Sequence, residues 1–67
     1  MMNLPKLKGK IIEKGMNVER LAKEIGSDKS TLYRKLSNFE KITIGEAIRI
    51  KKALEMSDTE AMEIFLT

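Results

Sequence analysis

The sequence predicts a compact all-α fold of five short helices, and three observations lead to this prediction. Apolar residues recur three and four positions apart along most of the chain, which is the period of an amphipathic helix. "TIGE" at 43–46 and "SDTE" at 57–60 both fit the capping box that opens many helices. Alternation at a period of two is confined to "KITI" at 41–44, where the capping signal takes precedence. The predicted helices span residues about 4–14, 18–25, 29–37, 44–54 and 58–66.

The first helix is marked by a proline at its start and a glycine at its end. Pro5 suits a first helical turn, where its missing N–H leaves no helix hydrogen bond unmade. Gly15 is placed to end the helix, because glycine adopts the left-handed conformation of a helix C-terminus without strain. The residues at helical spacing, which we expect to face the core, are Leu4, Leu7, Ile11 and Ile12.

A second helix is followed by a tight turn and by the start of a third helix. Asn17 is a good N-cap for the second helix, and Gly26 is placed to end it. Either Ser27 or Asp28 can then cap the third helix, since both side chains accept a hydrogen bond from a first-turn amide. The apolar residues on one face of the second helix are Val18, Leu21, Ala22 and Ile25.

The third helix is short and carries many hydrogen-bond donors. With Leu32 and Leu36 facing the core one turn apart, Ser30 and Arg34 lie almost opposite them on the helical wheel. Lys29 lies in the first turn. The polar and aromatic residues outside the leucine stripe are Lys29, Ser30, Thr31, Tyr33 and Arg34. Such a helix has one face for the core and another that is available to a ligand.

The fourth and fifth helices are predicted to close the core. The residues expected to be buried are Ile44, Ala47, Ile48, Ile50 and Leu54 in the fourth helix, and Ala61, Ile64 and Phe65 in the fifth. The methionines are expected mostly to fill gaps in the core. Met62 and Phe65 have two interpretations, because on a short terminal helix they can belong either to the core or to a dimer interface.

The composition indicates a single small domain, residues 1–67, and limits the kinds of site that it can hold. The chain has no cysteine and no histidine, which excludes disulfides, thiolate and imidazole metal ligands, and the commonest general base. Residues 1–36 hold nine Lys and Arg against four Asp and Glu, whereas residues 37–67 hold four against six. The basic front half favours a polyanionic partner, and the acidic back half argues against general binding to membrane surfaces.

The sequence contains no motif that points to an enzyme, a metal or a cofactor. It has neither a glycine-rich phosphate loop nor a serine nucleophile elbow. Glutamates are expected on helix surfaces without any pairing for acid–base catalysis, and these are Glu13, Glu19, Glu24, Glu46, Glu55, Glu60 and Glu63. No apolar run is long enough to span a membrane and the N-terminus lacks the apolar core of a signal peptide, so we expect a cytoplasmic protein.

Two short helices joined by a glycine-containing turn form the layout that presents a second helix to the DNA major groove. "MNVERLAKEIGSDKSTLYRKLSN" resembles the helix-turn-helix of the phage Cro/repressor (Xre-like) family, and the five-helix layout is similar along nearly the whole chain. The matching residues are Leu21, Ala22 and Gly26, with Leu32 at the core position of the second helix of the motif. "KLKGKIIEKG", "STLYRKL" and "EAMEIFL" are similar to small Cro-like regulators of Gram-positive prophages.

This resemblance implies a DNA-binding motif at about 17–37 whose second helix, at about 29–37, is the recognition helix. The residues that it places at base edges are Lys29, Ser30 and Arg34, with Thr31 and Tyr33 as second-rank candidates. The residues that it places at phosphates are Asn17, Ser37, Asn38 and Lys41. Arg and Lys can donate to both guanine acceptors, Ser and Thr can serve either base, and an aromatic face can contact the thymine methyl.

Three positions depart from the family's pattern. Many relatives have glutamine at the position of Val18, where it touches phosphate and braces the recognition helix, and a valine side chain can do neither. Many relatives place an aliphatic residue at the position of Lys35, whereas here we expect Leu36 to be buried. Ile11 and Leu36 stand where members often pair an arginine with a glutamate, which suggests an apolar contact in place of a buried ion pair.

The resemblance implies a sequence-specific DNA-binding transcriptional regulator, a Cro-like repressor of phage or prophage origin that occupies a double-stranded operator. Relatives bind pseudo-palindromic operators as dimers, so we expect a homodimer, formed either in solution or only on DNA. No small-molecule effector is expected, because 67 residues leave no room for a ligand-binding domain. The alternative is a protein-interaction module with the same fold, such as an antitoxin-like or anti-repressor domain.

Overall fold

The computed structural model of the protein describes residues 3–37 and 42–66. Its helices are α1 (Leu4–Glu13), α2 (Val18–Glu24), α3 (Lys29–Ser37), α4 (Ile44–Ala53) and α5 (Asp58–Phe65). The predicted all-α class is confirmed, and each helix begins at the predicted residue. Four helices end one residue earlier than predicted, and α3 ends as predicted. In the ranges described, no helix is long and apolar enough to cross a membrane.

Each helix begins at a side chain that accepts a hydrogen bond from its first turn. Asn17 Oδ1 accepts from the Arg20 amide of α2 at 2.8 Å, as predicted for an N-cap. At the start of α3, Asp28 and not Ser27 is the capping residue, because its Oδ1 accepts from the Thr31 amide at 3.3 Å. The two predicted capping boxes are both present, Thr43 with Glu46 and Ser57 with Glu60.

The turns after α1, α2 and α4 have the same hydrogen-bond pattern, the Schellman motif. After α2, the Ser27 amide donates to the Ala22 carbonyl at 2.8 Å, across Gly26 with a φ of 75°. Gly15 has the same place after α1, with a φ of 69°. After α4 that place is taken by Glu55, with a φ of 53°. The end of α4 is therefore not marked by a glycine in the sequence.

Gly26→Ala is expected to destabilise the protein by about 1–2 kcal/mol, because an L-residue in the left-handed conformation is strained. No atom lies within 4 Å of the added methyl group, so backbone conformation alone causes the loss. Gly9→Ala, at an exposed position within α1, is the matched control and is expected to stabilise by up to about 1 kcal/mol. Urea unfolding of both variants measures the two effects. If both substitutions changed the free energy of unfolding in the same direction, the strain assigned to Gly26 would be contradicted.

The core is formed by apolar residues from all five helices and from the turns between them. The buried members are Leu7, Ile11, Leu21, Ala22, Ile25, Leu32, Leu36, Ile50, Leu54, Met56 and Ile64. Ile11 and Leu36 both belong to this cluster, in agreement with the apolar replacement expected at those positions. Met56 is a buried core residue, and Met16 packs against the cluster from its edge.

Four predictions of burial are wrong. Ile12 is 75% exposed, because the inward stripe of α1 runs through Leu7 and Ile11 and the next residue points about 100° away. Ile44 and Ile48 of α4 are 82% and 48% exposed, since that helix turns Glu46 and Ile50 toward the core. Glu46 was expected on the surface and is instead buried at 8% exposure.

Charged side chains hold α5 against α1. Lys10 Nζ donates to Glu60 Oε2 at 2.7 Å, and Lys6 pairs with Glu63 one turn away. The Asn3 amide also donates to the Ile64 carbonyl at 2.6 Å. Glu60 and Glu63 of α5 are therefore paired with cations of α1. Asp58, at the start of α5, pairs instead with Lys51 of α4 at 2.9 Å.

The Lys10–Glu60 pair predicts a stability loss in acid. Hydrogen bonding from Lys10, with a further contribution from the Ser57 amide, lowers the pKa of Glu60 from 4.5 to about 2. Because the pKa is depressed in the folded state, this stabilisation is present above about pH 4.5 and is lost as the pH falls toward 2. Glu60→Gln should therefore be less stable than wild type at pH 7, with the gap closing toward pH 2. Urea unfolding as a function of pH checks this, and a constant gap would contradict it.

Candidate nucleic-acid interface

The position of α3 is set by its two leucines and by the turn that precedes it. Leu32 and Leu36 are 1% and 4% exposed, and α3 makes its most extensive helix contact with α2. The Schellman turn at Gly26 and the Asp28 cap fix where α2 ends and α3 begins. The leucine stripe therefore turns the opposite face of α3 outward.

Most of the predicted base-contacting residues lie on that outer face. Lys29, Ser30, Tyr33 and Arg34 are exposed, and Thr31 is half-buried. Lys29 and Arg34 form no ion pair with any residue in the described ranges. Two unpaired cations, a hydroxyl and a phenol on one short helix make a surface that is rich in donors and suited to an anionic ligand with many acceptors.

Thr31 is partly engaged by the cap of its own helix. Hydrogen bonding from Thr31 lowers the pKa of Asp28 below its ordinary value, and the positive charge of Arg34 has a smaller effect in the same direction. Asp28 thus stays ionised at neutral pH and stabilises the positive end of the α3 dipole. Among the five candidates, Thr31 is the one whose side chain is least available to a ligand.

Tyr33 borders a shallow hollow between α3 and the N-terminal part of the chain. The hollow has a volume of about 50 Å³ and is lined by Leu4, Lys8, Val18, Tyr33, Leu36 and Ser37. Val18, which replaces the glutamine of many relatives, packs here against the core. Tyr33 borders this hollow and is 59% exposed, so most of its side chain remains available to a ligand.

The predicted phosphate-contacting residues fall into two groups. Asn17 is exposed and uses its Oδ1 as the cap of α2, which leaves its NH₂ group as a donor. Ser37 is exposed, and its hydroxyl donates to the Tyr33 carbonyl at 3.1 Å, so a phosphate contact through this hydroxyl requires exchange of that bond. Asn38 and Lys41 lie outside the described residues.

The sequence interpretation missed an ion pair behind the outer face of α3. Lys35, in the last turn of α3, donates to Oε2 of Glu46 in the first turn of α4. Oε1 of the same carboxylate accepts from the Thr43 amide at 2.9 Å. These bonds, with Lys35 as the larger influence, lower the pKa of Glu46. No signal in the sequence identifies this pair, because lysine and glutamate are both ordinary surface residues and the two lie on different helices.

An apolar groove of about 270 Å³ lies on another side of the molecule, between α4 and α5. Its exposed apolar side chains are those of Ile44, Ile48, Met62 and Leu66, with Phe65 half-buried among them. Met62 is 58% exposed, and Phe65 packs against the core cluster. The two residues whose role was left open are therefore different, since Phe65 supports the core and Met62 is a surface residue.

A buried-leucine helix that follows a glycine turn and turns donors outward is the layout of a helix-turn-helix motif. Residues 6–65 match the family of Cro/C1-type HTH DNA-binding domains. The chain belongs to this family, as its resemblance to Cro and repressor proteins predicted. No curated protein and no solved structure matches the sequence.

Proposed function

We propose that this protein is a sequence-specific transcriptional regulator, a Cro-like repressor of phage or prophage type that acts as one helix-turn-helix domain in the cytoplasm. The observation that carries the proposal is the outer face of α3, where Lys29 and Arg34 are exposed and unpaired within the described ranges. Other exposed cations, such as Lys8 and Arg49, also form no ion pair in the described ranges, so the location of Lys29 and Arg34 is what distinguishes them. Here they stand opposite the leucine stripe on the one helix that this family places in the major groove.

In this proposal the side chains of α3 read the base edges. Arg34 donates to the O6 and N7 acceptors of guanine, and Lys29 does so from the first turn, nearest to the end of the helix that enters the groove. Ser30 lies between them, and Tyr33 and Thr31 contribute at the flanks. Asn17, Ser37, Asn38 and Lys41 hold phosphates on either side, which sets the register without selecting sequence.

A second copy of the chain is the proposed occupant of the α4–α5 groove. Four large apolar side chains exposed together on two helices are typical of an interaction surface, and a two-fold contact would bury them against each other. They supply less apolar area than the roughly 800 Å² per partner of a standard stable interface. This favours a weak dimer that is completed on a pseudo-palindromic operator, with half-sites roughly 34 Å apart.

Repression follows from occupancy. A dimer on an operator that overlaps a promoter excludes RNA polymerase, so the level of control depends on protein concentration and on competition with other repressors of the same site. No small-molecule effector takes part in this scheme.

The salt dependence of DNA binding tests the proposal against a protein-interaction module. A protein that neutralises phosphates releases counterions, so its affinity falls steeply with a log–log slope proportional to the number of contacts. We expect such a slope on random duplex DNA and a tighter, sequence-dependent mode on a selected site. Weak binding with no preferred sequence at low as well as physiological salt would contradict the proposal.

A further inference from the structure

The two capping boxes of this protein share one feature that the capping box itself does not require. In each, the glutamate uses Oε1 for the capping bond to its own helix, at 2.9 Å from the Thr43 amide and 2.9 Å from the Ser57 amide. In each, Oε2 accepts from a lysine on a different helix, Lys35 for Glu46 and Lys10 for Glu60. Each carboxylate therefore ties the first turn of one helix to a second helix.

The two ties join different parts of the molecule. Lys10–Glu60 joins α1 to α5, whereas Lys35–Glu46 joins α4 to α3, the helix with the donor face. The two glutamates also differ in exposure, since the side chain of Glu46 is 11% exposed and that of Glu60 is 34% exposed. The Glu46 carboxylate has lost most of its contact with water, and its bonds to Lys35 and to the Thr43 amide compensate for that loss.

The Lys35–Glu46 pair restrains α3 because of where Lys35 lies on that helix. Lys35 neighbours Arg34 in sequence and lies in the last turn, away from the Gly26 turn and the Asp28 cap that fix the first turn. Leu32 and Leu36 hold α3 against the core by packing, and the ion pair adds a directional bond in the last turn. The pair thus restrains the end of α3 that the turn does not reach.

We infer that Lys35 and Glu46 are positioning residues for DNA readout: their bond sets the rotation and tilt of α3, and so the alignment of Lys29, Ser30 and Arg34 with base edges, without touching DNA. This inference rests on the proposed function. Hydrogen bonds to base edges depend on distance and angle, so a small rotation of α3 lowers discrimination between sites more than it lowers attraction to phosphate.

Glu46→Gln tests the inference because two effects have opposite signs. The substitution removes a negative charge, which on electrostatic grounds strengthens binding to all DNA. It also leaves one acceptor oxygen for two donors, the Thr43 amide and Lys35 Nζ, so the side chain can no longer cap α4 and bond Lys35 at the same time. We expect the ratio of affinities for the selected half-site and a scrambled half-site to fall about tenfold, comparable to losing one base contact. Single half-sites are used so that dimerisation has no part in the measurement.

Glu60→Gln is the matched control, since it makes the same chemical and charge change in the other capping box. It is expected to keep the wild-type ratio. Lys35→Met should lower the ratio as Glu46→Gln does and leave the salt slope unchanged, whereas a direct phosphate contact would reduce that slope by about one. Thermal unfolding of each variant establishes that binding is measured on folded protein.

The outcomes distinguish failure of the positioning role of Lys35 and Glu46 from failure of the proposed function. A wild-type ratio in Glu46→Gln, or a reduced salt slope in Lys35→Met, overturns the positioning role and leaves the proposed function intact. An equal fall of the ratio in Glu46→Gln and Glu60→Gln also overturns it, because general loosening of the fold would then be the cause. A wild-type protein without any half-site preference overturns the proposed function itself.

Discussion

Arg34→Ala is expected to weaken binding to the preferred operator by about 1–3 kcal/mol and to relax the sequence preference at one or two base pairs. The physical reason is that a bidentate contact to guanine distinguishes this base from the other three, and no other exposed side chain of α3 except Lys29 can make one. Arg34 makes no ion pair with the residues that the structure describes, so folding should be little affected. Affinities for the preferred operator and for single-base variants measure the effect.

Arg49→Ala is the matched control for this prediction. It removes the same charge from an exposed position on α4, so its loss of general attraction to DNA should be similar. Any weakening that it causes should be uniform across operator variants. If Arg34→Ala keeps full discrimination, or if Arg49→Ala loses as much of it, the outer face of α3 is not the reading surface.

Met62→Lys is expected to abolish tight binding to a full two-fold operator while leaving single half-site binding unchanged or slightly improved. Met62 is exposed in the α4–α5 groove, and a lysine there opposes its own copy across the proposed two-fold axis and must be desolvated. The added positive charge favours DNA, so repulsion from phosphate cannot explain a loss. Titration of full and half operators, with sedimentation of the complexes, gives the stoichiometry.

Thr59→Lys serves as its control, because it adds the same charge to the same helix at an exposed residue that does not line the groove. It should bind the full operator as wild type does. Cooperative full-site binding by Met62→Lys would show that the groove is not where two copies meet.

The fold could be predicted closely because its boundaries depend on local chemistry. Asn17, the two capping boxes, Gly15 and Gly26 each mark a helix end through a bond or a backbone conformation that short-range sequence specifies. The end of α4 was placed by periodicity alone, because Glu55 adopts the left-handed conformation in place of a glycine. Such a residue is not recognisable from residue type.

The errors have a common origin in tertiary packing. Ile12, Ile44 and Ile48 fit a helical stripe on apolarity, but each helix buries only the part of the stripe that a neighbour covers. Which part is covered depends on the packing angle, and a single helix does not encode that angle. The exposed isoleucines of α4 line the groove in which a second copy of the chain is proposed to bind. Their apolar character therefore fits burial between two chains, whereas the sequence prediction assumed burial within one chain.

The sequence predicted which face of α3 points outward, but it did not predict the contacts that hold this helix in place. The leucine spacing placed Ser30 and Arg34 outward correctly, and both are exposed. The Lys35–Glu46 tie was beyond reach, because its two residues are eleven positions apart on different helices and each alone resembles a surface charge. Base contacts also depend on water and on the shape of the DNA, and neither is encoded in the protein sequence.

Selection from random duplex DNA, run in parallel with wild type and Arg34→Ala, is the sharpest test of whether α3 reads DNA sequence. We expect wild type to enrich a two-fold-symmetric site and the variant to enrich a site degenerate at one or two symmetry-related positions. Failure of wild type to enrich any sequence, at low as well as physiological salt, would contradict DNA recognition and direct attention to a protein partner.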